Sequence, residues 1–354
     1  MRKRISTIIM TTLMALSLTA CGGAAQSTSA SKGAEESAEA TDSTDSNMKL
    51  KVIATPAPAS CSQVAVAEEL GYFKEEGVDV EIQYVTNLSD MASIIAGGGC
   101  DAAFNSYYTV MTWVDSGLDV KVIAANNDMG GTQAAAIRTD IDIKSPKDLE
   151  NCKLGLVPGA EVNVAIMRMC DEYDVDFDAI NKVEVQPADQ LSAFESGDID
   201  IIACWEPWLT KAESMGGRFL LSGNKADIEG VPSDVDWLTL YETTVCPTSA
   251  VTEKADALAA MLRAVKKAED YINSNRDEAV KIVAKVCESE ESEIAGIMEK
   301  NDYRWGVDSQ YKETMSSLED FMFEHKIIQN DIEFDSIHDF SILKKAVPEA
   351  YTLD

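Results

Sequence analysis

The sequence predicts an α/β fold, and three observations carry that prediction. Short apolar runs alternate with helical segments through most of the chain. One pattern, a helix end, a glycine, an aspartate, an apolar strand and a polar-aromatic tip, occurs twice without gaps, at residues 93–108 (SIIAGGGCDAAFNSYY) and 192–207 (SAFESGDIDIIACWEP). Past residue 250 the alternation gives way to helical periodicity.

Taken in order, the first strand is residues 49–54 (KLKVIA), followed by a helix over 62–77 (SQVAVAEELGYFKEEG) that ends at a glycine, then a strand over 78–85 (VDVEIQYV). Further apolar runs at 120–125, 134–139, 152–157, 183–187 and 200–205 supply more strands. Their spacing by helical segments implies parallel βαβ units. Leu258, Met261, Leu262, Val265, Ala268 and Ile272 recur at intervals of three and four, which predicts one long amphipathic helix.

The repeat bears on function because in open parallel sheets ligands bind beyond the carboxyl ends of the strands. If each copy belongs to one sheet and the sheets face each other, Asn105, Ser106, Tyr107 and Tyr108 line one wall of a cleft and Cys204, Trp205 and Glu206 the other. Trp205 and Glu206 then read as a recognition pair, a ring to cover an apolar or cationic group and a carboxylate to take a donor. Trp208, next to a helix-like segment, is expected in the core.

The amino end reads MRKRISTIIMTTLMALSLTACGG: three basic residues, an apolar stretch too short to span a bilayer, then Leu18-Thr19-Ala20-Cys21. This predicts a signal peptide over residues 1–20, and the tetrapeptide resembles a bacterial lipobox with Cys21 as the lipidated first mature residue. Residues 21–47, nearly all Ala, Ser, Thr, Gly, Glu and Asp, hold too little apolar surface to fold and read as a tether. The formal net charge of −31 argues against nucleic acid and anionic headgroups as partners, so the lipid must hold the protein at the membrane. The other seven cysteines, Cys61, Cys100, Cys152, Cys170, Cys204, Cys246 and Cys287, are odd in number, far apart and free of C-x-x-C spacing. No metal site is expected from them; disulfides remain open, with no pairing readable from spacing.

Four motifs in order carry a resemblance to a known family: VAEELGYFKEEGVDVEI, IKSPKDLENCKLGLVPGAE, QPADQLSAFESGDIDIIACWEPW and KAEDYINSNRDEA. Together they resemble the nitrate/sulfonate/taurine and thiamine-pyrimidine-precursor family of ABC-transporter substrate-binding proteins. The resemblance implies a two-lobed periplasmic-binding-protein fold of type II, with lobe I in residues 48–136 and 246–354 and lobe II in residues 137–245. It implies a small-molecule ligand in the cleft between lobes and, as partners, a permease with its ATPase. A monomer without cofactor, lipid-anchored on the extracytoplasmic face of a bacterial membrane, is expected. The family's ligand loops fall on residues 55–63, which hold Thr55, Ser60 and Gln63, on 104–108 with Asn105 to Tyr108, and on Asp128 to Thr132. The last two are residues 158–163, with Gly159, Glu161 and Asn163, and the loop of Trp205 and Glu206.

These five loops contain no Arg or Lys, whereas a sulfonate or nitrate site is expected to offer cations or a Gly-Ser/Thr turn at a helix start. They do contain Asp128, Glu161 and Glu206, against which an anion would cost several kcal/mol in a desolvated cleft unless they turn away. A neutral or cationic nitrogen-bearing ligand such as a pyrimidine fits better; taurine, with its ammonium, lies between, and a helix N-terminus can still hold an anion. The alternatives are a pyrimidine-precursor-synthesising relative on the same fold and a ligand sensor without a permease. No enzyme is expected. His325 and His338 lie far from every cleft loop, no G-x-S-x-G, P-loop or H-E-x-x-H occurs, and Cys61, Cys204 and Cys246 read as small residues lining the cleft rather than nucleophiles.

Overall fold

Two five-stranded sheets, each with helices on its faces, organise the computed structural model, which describes residues 46–353. The expected signal peptide, Cys21 and nearly all of the expected tether lie outside the described residues. The first sheet draws on β1 (Lys49–Ala54), α1 (Pro58–Glu69), α2 (Tyr72–Glu75), β2 (Asp79–Tyr84), α3 (Leu88–Ala96), β3 (Ala102–Ser106), α4 (Tyr107–Asp115) and β4 (Val120–Asp128). The second draws on β5 (Gln133–Arg138), β6 (Lys153–Leu156), α5 (Val162–Glu172), β7 (Asn181–Glu184), α6 (Pro187–Ser196), β8 (Ile201–Trp205), α7 (Trp208–Ser214) and β9 (Gly217–Ser222). The chain then returns through β10 (Tyr241–Pro247) to α8 (Ala250–Glu253), α9 (Ala255–Ser274), α10 (Arg276–Cys287), α11 (Glu291–Glu299), α12 (Ser309–Glu324), α13 (Phe334–Ile337) and α14 (Ser341–Ala346).

The strand orders are β2-β1-β3-β10-β4 and β7-β6-β8-β5-β9. Neither sheet is wholly parallel, which corrects the sequence expectation. β10 runs antiparallel between β3 and β4, and β5 runs antiparallel between β8 and β9. Each is the strand by which the chain enters a sheet from the other lobe, so it arrives from the opposite direction. The crossings also come earlier than expected: Ile137 and Cys246 lie inside β5 and β10, and the chain crosses at residues 129–132 and 223–240. The helix expected over 62–77 is two helices, because Gly71 takes a left-handed conformation (φ 74°) that ends the first.

The repeated pattern performs one job twice. The Asp101 carboxylate accepts a hydrogen bond from the backbone N–H of Lys51 in β1 (2.8 Å), and Asp200 does the same for Lys153 in β6 (2.8 Å). The glycines three residues before each, Gly98 and Gly197, both have positive φ, 67° and 77°, and turn the chain out of a helix into the strand. Against α1, α2, α10 and α14 of the first lobe, α9 buries Met261, Leu262, Val265 and Ile272 completely. At about 1.5–3 kcal/mol for each large apolar side chain, this helix does much to hold the first lobe together. The segments at the two crossings are stitched to one another: the Met129 N–H donates to Leu240 O (2.7 Å) and Gly223 N–H to Gly130 O (3.2 Å), while Leu238 N–H to Gly223 O (2.9 Å) folds the second crossing on itself. A Cβ on Gly130 would lie 2.0 Å from Leu238 O, so only glycine allows that approach.

Candidate functional site

The carboxyl ends of β1, β3, β6 and β8 and the loops after them enclose a cavity of about 470 Å³. The first sheet contributes Thr55 and the opening turn of α1 through Ser60, then Asn105, Ser106, Tyr108, Thr109 and Trp113; the second contributes Gly159 to Glu161, Trp205 and Glu206. Thr132 and Gln133, at one crossing, complete the wall. Of the sequence-predicted site residues, Thr55, Ser60, Asn105, Ser106, Tyr108, Thr132, Gly159, Glu161, Trp205 and Glu206 therefore share one cavity.

The other four do not line it. Gln63 is buried one turn further along α1 and donates to Asn127 Oδ1 (3.0 Å). Tyr107 points into the first lobe, donates to Glu319 and stacks on His338 with ring centroids 5.5 Å apart. Asp128 turns back to accept the backbone N–H groups of Gly130 (2.9 Å) and Leu240 (3.1 Å), and burial raises its carboxyl above the usual range against those two bonds. Asn163 donates to Val157 O (2.9 Å) and so braces the loop it was expected to read out from. In each case strand or helix phase points the side chain away from the loop's concave side. Cys61, Cys204 and Cys246 are also no part of the lining: they sit in α1, β8 and β10 and are fully buried. Trp208 is half-buried against the core of the second lobe, with Lys211 4.8 Å from its ring.

Glu161 and Glu206 are the charged residues of the lining. Glu206 is 4 % exposed, and both its oxygens are engaged: one meets Lys300, the other accepts the N–H (3.0 Å) and hydroxyl (2.9 Å) of Thr210 in the first turn of α7. Lys300 follows α11, which packs on α1, so this ion pair joins the two lobes. No local signal in the sequence could announce it, since the partners are 94 residues apart. The expected acceptor for a ligand is thus already occupied. Glu161 reaches across the cleft from the start of α5, where its Oε1 accepts from Ser106 Oγ (2.7 Å) and Thr109 Oγ1 (3.2 Å) at the start of α4. A carboxylate of the chain itself therefore stands at that positive helix end. Burial pushes the Tyr108 phenol up, with Glu161 adding to it, so the hydroxyl stays neutral.

One more carboxyl lies directly behind this wall. Glu242, on β10 in register with Ser106, is fully buried, and neither oxygen has a hydrogen-bond partner among the described residues. Burial raises its pKa well above the carboxylate range; the Ser60 hydroxyl alongside, next in weight, works the other way, and Glu161 adds a smaller push upward. It had no sequence signal, because a glutamate at a strand start reads as a solvated charge.

Residues 59–279 match the family described as NMT1/THI5 like. A Bacillus subtilis protein described as aliphatic sulfonates-binding is 21 % identical over 310 residues, spanning 85 % of this chain and 90 % of its own. The formylaminopyrimidine-binding protein of Halalkalibacterium halodurans is 28 % identical over 221 residues, 62 % of this chain and 64 % of its own. Among solved structures, the periplasmic aliphatic sulphonate binding protein SsuA of Escherichia coli superposes with a TM-score of 0.71 at 14 % identity, over 82 % of this chain and 92 % of that one. The periplasmic nitrate-binding protein NrtA of Synechocystis gives 0.61 at 14 % identity, over 85 % and 89 %. The desulfurization enzyme DszB also gives 0.61, at 11 % identity over 85 % and 99 %. These likenesses establish the two-lobed periplasmic-binding-protein fold.

Proposed function

Because the chain belongs to the NMT1/THI5-like family, whose matched relatives here are solute-binding proteins, we propose that it is an extracytoplasmic lipoprotein that captures a small nitrogen-bearing molecule and hands it to an ABC importer. The sequence supports the anchor through the basic start, the short apolar run and Cys21 in its lipobox-like setting. Among the described residues no helix is long and apolar enough to cross a membrane. The partners are then a permease and its ATPase, and the protein works as a monomer.

One observation carries the ligand class. Glu161 is the charged side chain of the lining that has no cation paired to it, since Glu206 is met by Lys300 and, among the described residues, no Lys, Arg or His lines the cavity. A ligand N–H beside Glu161, with a flat ring against Trp205 and Tyr108, uses what the cavity offers. A sulfonate or nitrate finds no free cation and meets that carboxylate. A second reading, an anionic or zwitterionic ligand such as taurine, is favoured by the starts of α1 and α5, which open on the cavity without side-chain caps.

Titration calorimetry with an aminopyrimidine, taurine, an alkanesulfonate and nitrate, on wild type and Glu161→Gln, separates the two. The amide of the variant still accepts from Ser106 and Thr109 but carries no charge. The nitrogenous ligand should bind at least about tenfold more weakly to the variant, as for loss of a charged hydrogen bond. Tight wild-type binding of the sulfonate or nitrate, made tighter by Glu161→Gln, would overturn the proposal in favour of the anion.

A further inference from the structure

We propose that Cys61 and Cys287 are a thiol–disulfide pair, a covalent modification site that fastens α1 to the end of α10 directly behind the ligand cavity. Their sulfurs lie 3.7 Å apart although the residues are 226 positions apart in sequence. The helices that carry them pack along one another, and α1 also rests on α9 and α11. A disulfide needs the sulfurs at about 2 Å, a shift that small χ1 rotations supply when the Cβ atoms already face. Two other cysteines have different nearest partners: Cys204 Sγ lies 3.7 Å from Gln190 Oε1, and Cys152 Sγ lies 3.6 Å from Asp148 O.

The two sulfurs differ in a way that sets the order of reaction. Cys287 ends its helix and is partly exposed, whereas Cys61 is fully buried. The hydrogen bond with Cys287, together with burial, raises the Cys61 thiol well above its ordinary range. Cys287 is therefore the thiol that meets an oxidant. As thiolate it attacks one sulfur of a small disulfide such as glutathione disulfide, or of an oxidised dithiol protein, and expels the first thiolate. Cys61, giving its proton to that thiolate, then attacks Cys287 Sγ and expels the second thiolate, which takes up the proton Cys287 released to water. Two protein thiols are oxidised to one disulfide and the incoming disulfide is reduced to two thiols, so electrons and protons balance. An extracytoplasmic protein meets such oxidants routinely.

The bond would act on the site through α1. Ser60, which lines the cavity, precedes Cys61, and Ser62, which follows it, accepts a hydrogen bond from Tyr303 (3.0 Å). Oxidation therefore anchors the first turn of α1, the wall of the cavity opposite Trp205, to the helical layer behind it.

The test is incubation of the folded mature protein in glutathione disulfide, with peptide mapping under non-reducing conditions and thermal melts before and after. The expected result is a peptide pair joined through residues 61 and 287, two fewer free thiols and a melting temperature about 5 °C or more higher, reversed by reductant. Cys287→Ser, at a partly exposed helix end, should fold and lose both the cross-link and the shift, while Cys246→Ser should keep both. Mapping that finds residues 61 and 287 unlinked after full equilibration, or a shift that persists in Cys287→Ser, overturns the proposal. This outcome is independent of the ligand titrations, so failure of one reading leaves the other standing.

Discussion

Glu242 shows what a single buried carboxyl does to a lobe. It lies near the start of β10, an interior strand of the first sheet, and its oxygens have no hydrogen-bond partner among the described residues, which favours the neutral acid. Its pKa in the folded protein is raised above the value in the unfolded chain, because burial outweighs the lowering by the Ser60 hydroxyl, with a smaller push upward from Glu161. Above about pH 4.5 the unfolded chain gives up this proton and the folded protein keeps it, so stability falls as pH rises, by up to about 1.4 kcal/mol per pH unit. Glu269 and Glu319, both raised to about 7 by burial, act in the same direction between about pH 4.5 and 7. His338 opposes them: burial lowers it to about 3, so stability is lost as pH falls below 6.5. Glu242→Gln should accordingly melt at a higher temperature than wild type at pH 8, with the difference shrinking toward pH 5. Equal melting temperatures at pH 8 would mean that the carboxyl is ionised and satisfied in the folded state.

At the scale of elements, the paired aspartates are the clearest link from sequence to architecture. Asp101 and Asp200 each fasten a strand to the turn that precedes its neighbour, and both turns start at a glycine with positive φ. Asp101→Ala and Asp200→Ala should each cost about 1.5–3 kcal/mol in chemical denaturation, the worth of a charged hydrogen bond, and leave ligand affinity unchanged because neither residue touches the cavity. The repeat was legible because side-chain chemistry at fixed spacing from a glycine survives in one dimension. So was β8, whose fully buried run ends at Trp205 on the rim of the cavity. Strand direction was not legible: an apolar run carries no sign of whether its neighbour runs with it, and β5 and β10 turned out antiparallel. Within the loops, residue type identified ten lining positions, but the misplaced four, Gln63, Tyr107, Asp128 and Asn163, depended on phase and on backbone groups remote in sequence. Lys300 was hidden for the same reason, being supplied from beyond α11 to a loop it precedes nowhere in the chain.

At the scale of the molecule, polar contacts among the described residues hold the lobes against each other: Glu161 with Ser106 and Thr109, Lys300 with Glu206, and Arg168 of α5 with Ser317 Oγ of α12 (3.3 Å). Removing Lys300, whose side chain is one-third exposed, leaves the buried Glu206 carboxylate without its cation, a loss of about 1.5–3 kcal/mol as for a charged hydrogen bond. Lys300→Met should therefore favour an open arrangement. Small-angle scattering should give a larger radius of gyration than wild type without ligand and the wild-type value at saturation, with apparent affinity reduced in proportion to the fraction closed. An unchanged radius in the free variant would show that the pair does not govern closure.

The insertion of β10 between β3 and β4 also dictates an order of assembly. β5 to β9 are contiguous in the chain, whereas β3 and β4 border β10 and not one another. A polypeptide emerging amino end first thus presents every strand of the later sheet while the earlier one still lacks the strand that joins β3 to β4. The segment 133–222 can complete its hydrogen-bonded ladder at a stage when β4 has no partner strand. The lobe that is second in sequence is, in time, the first that can close.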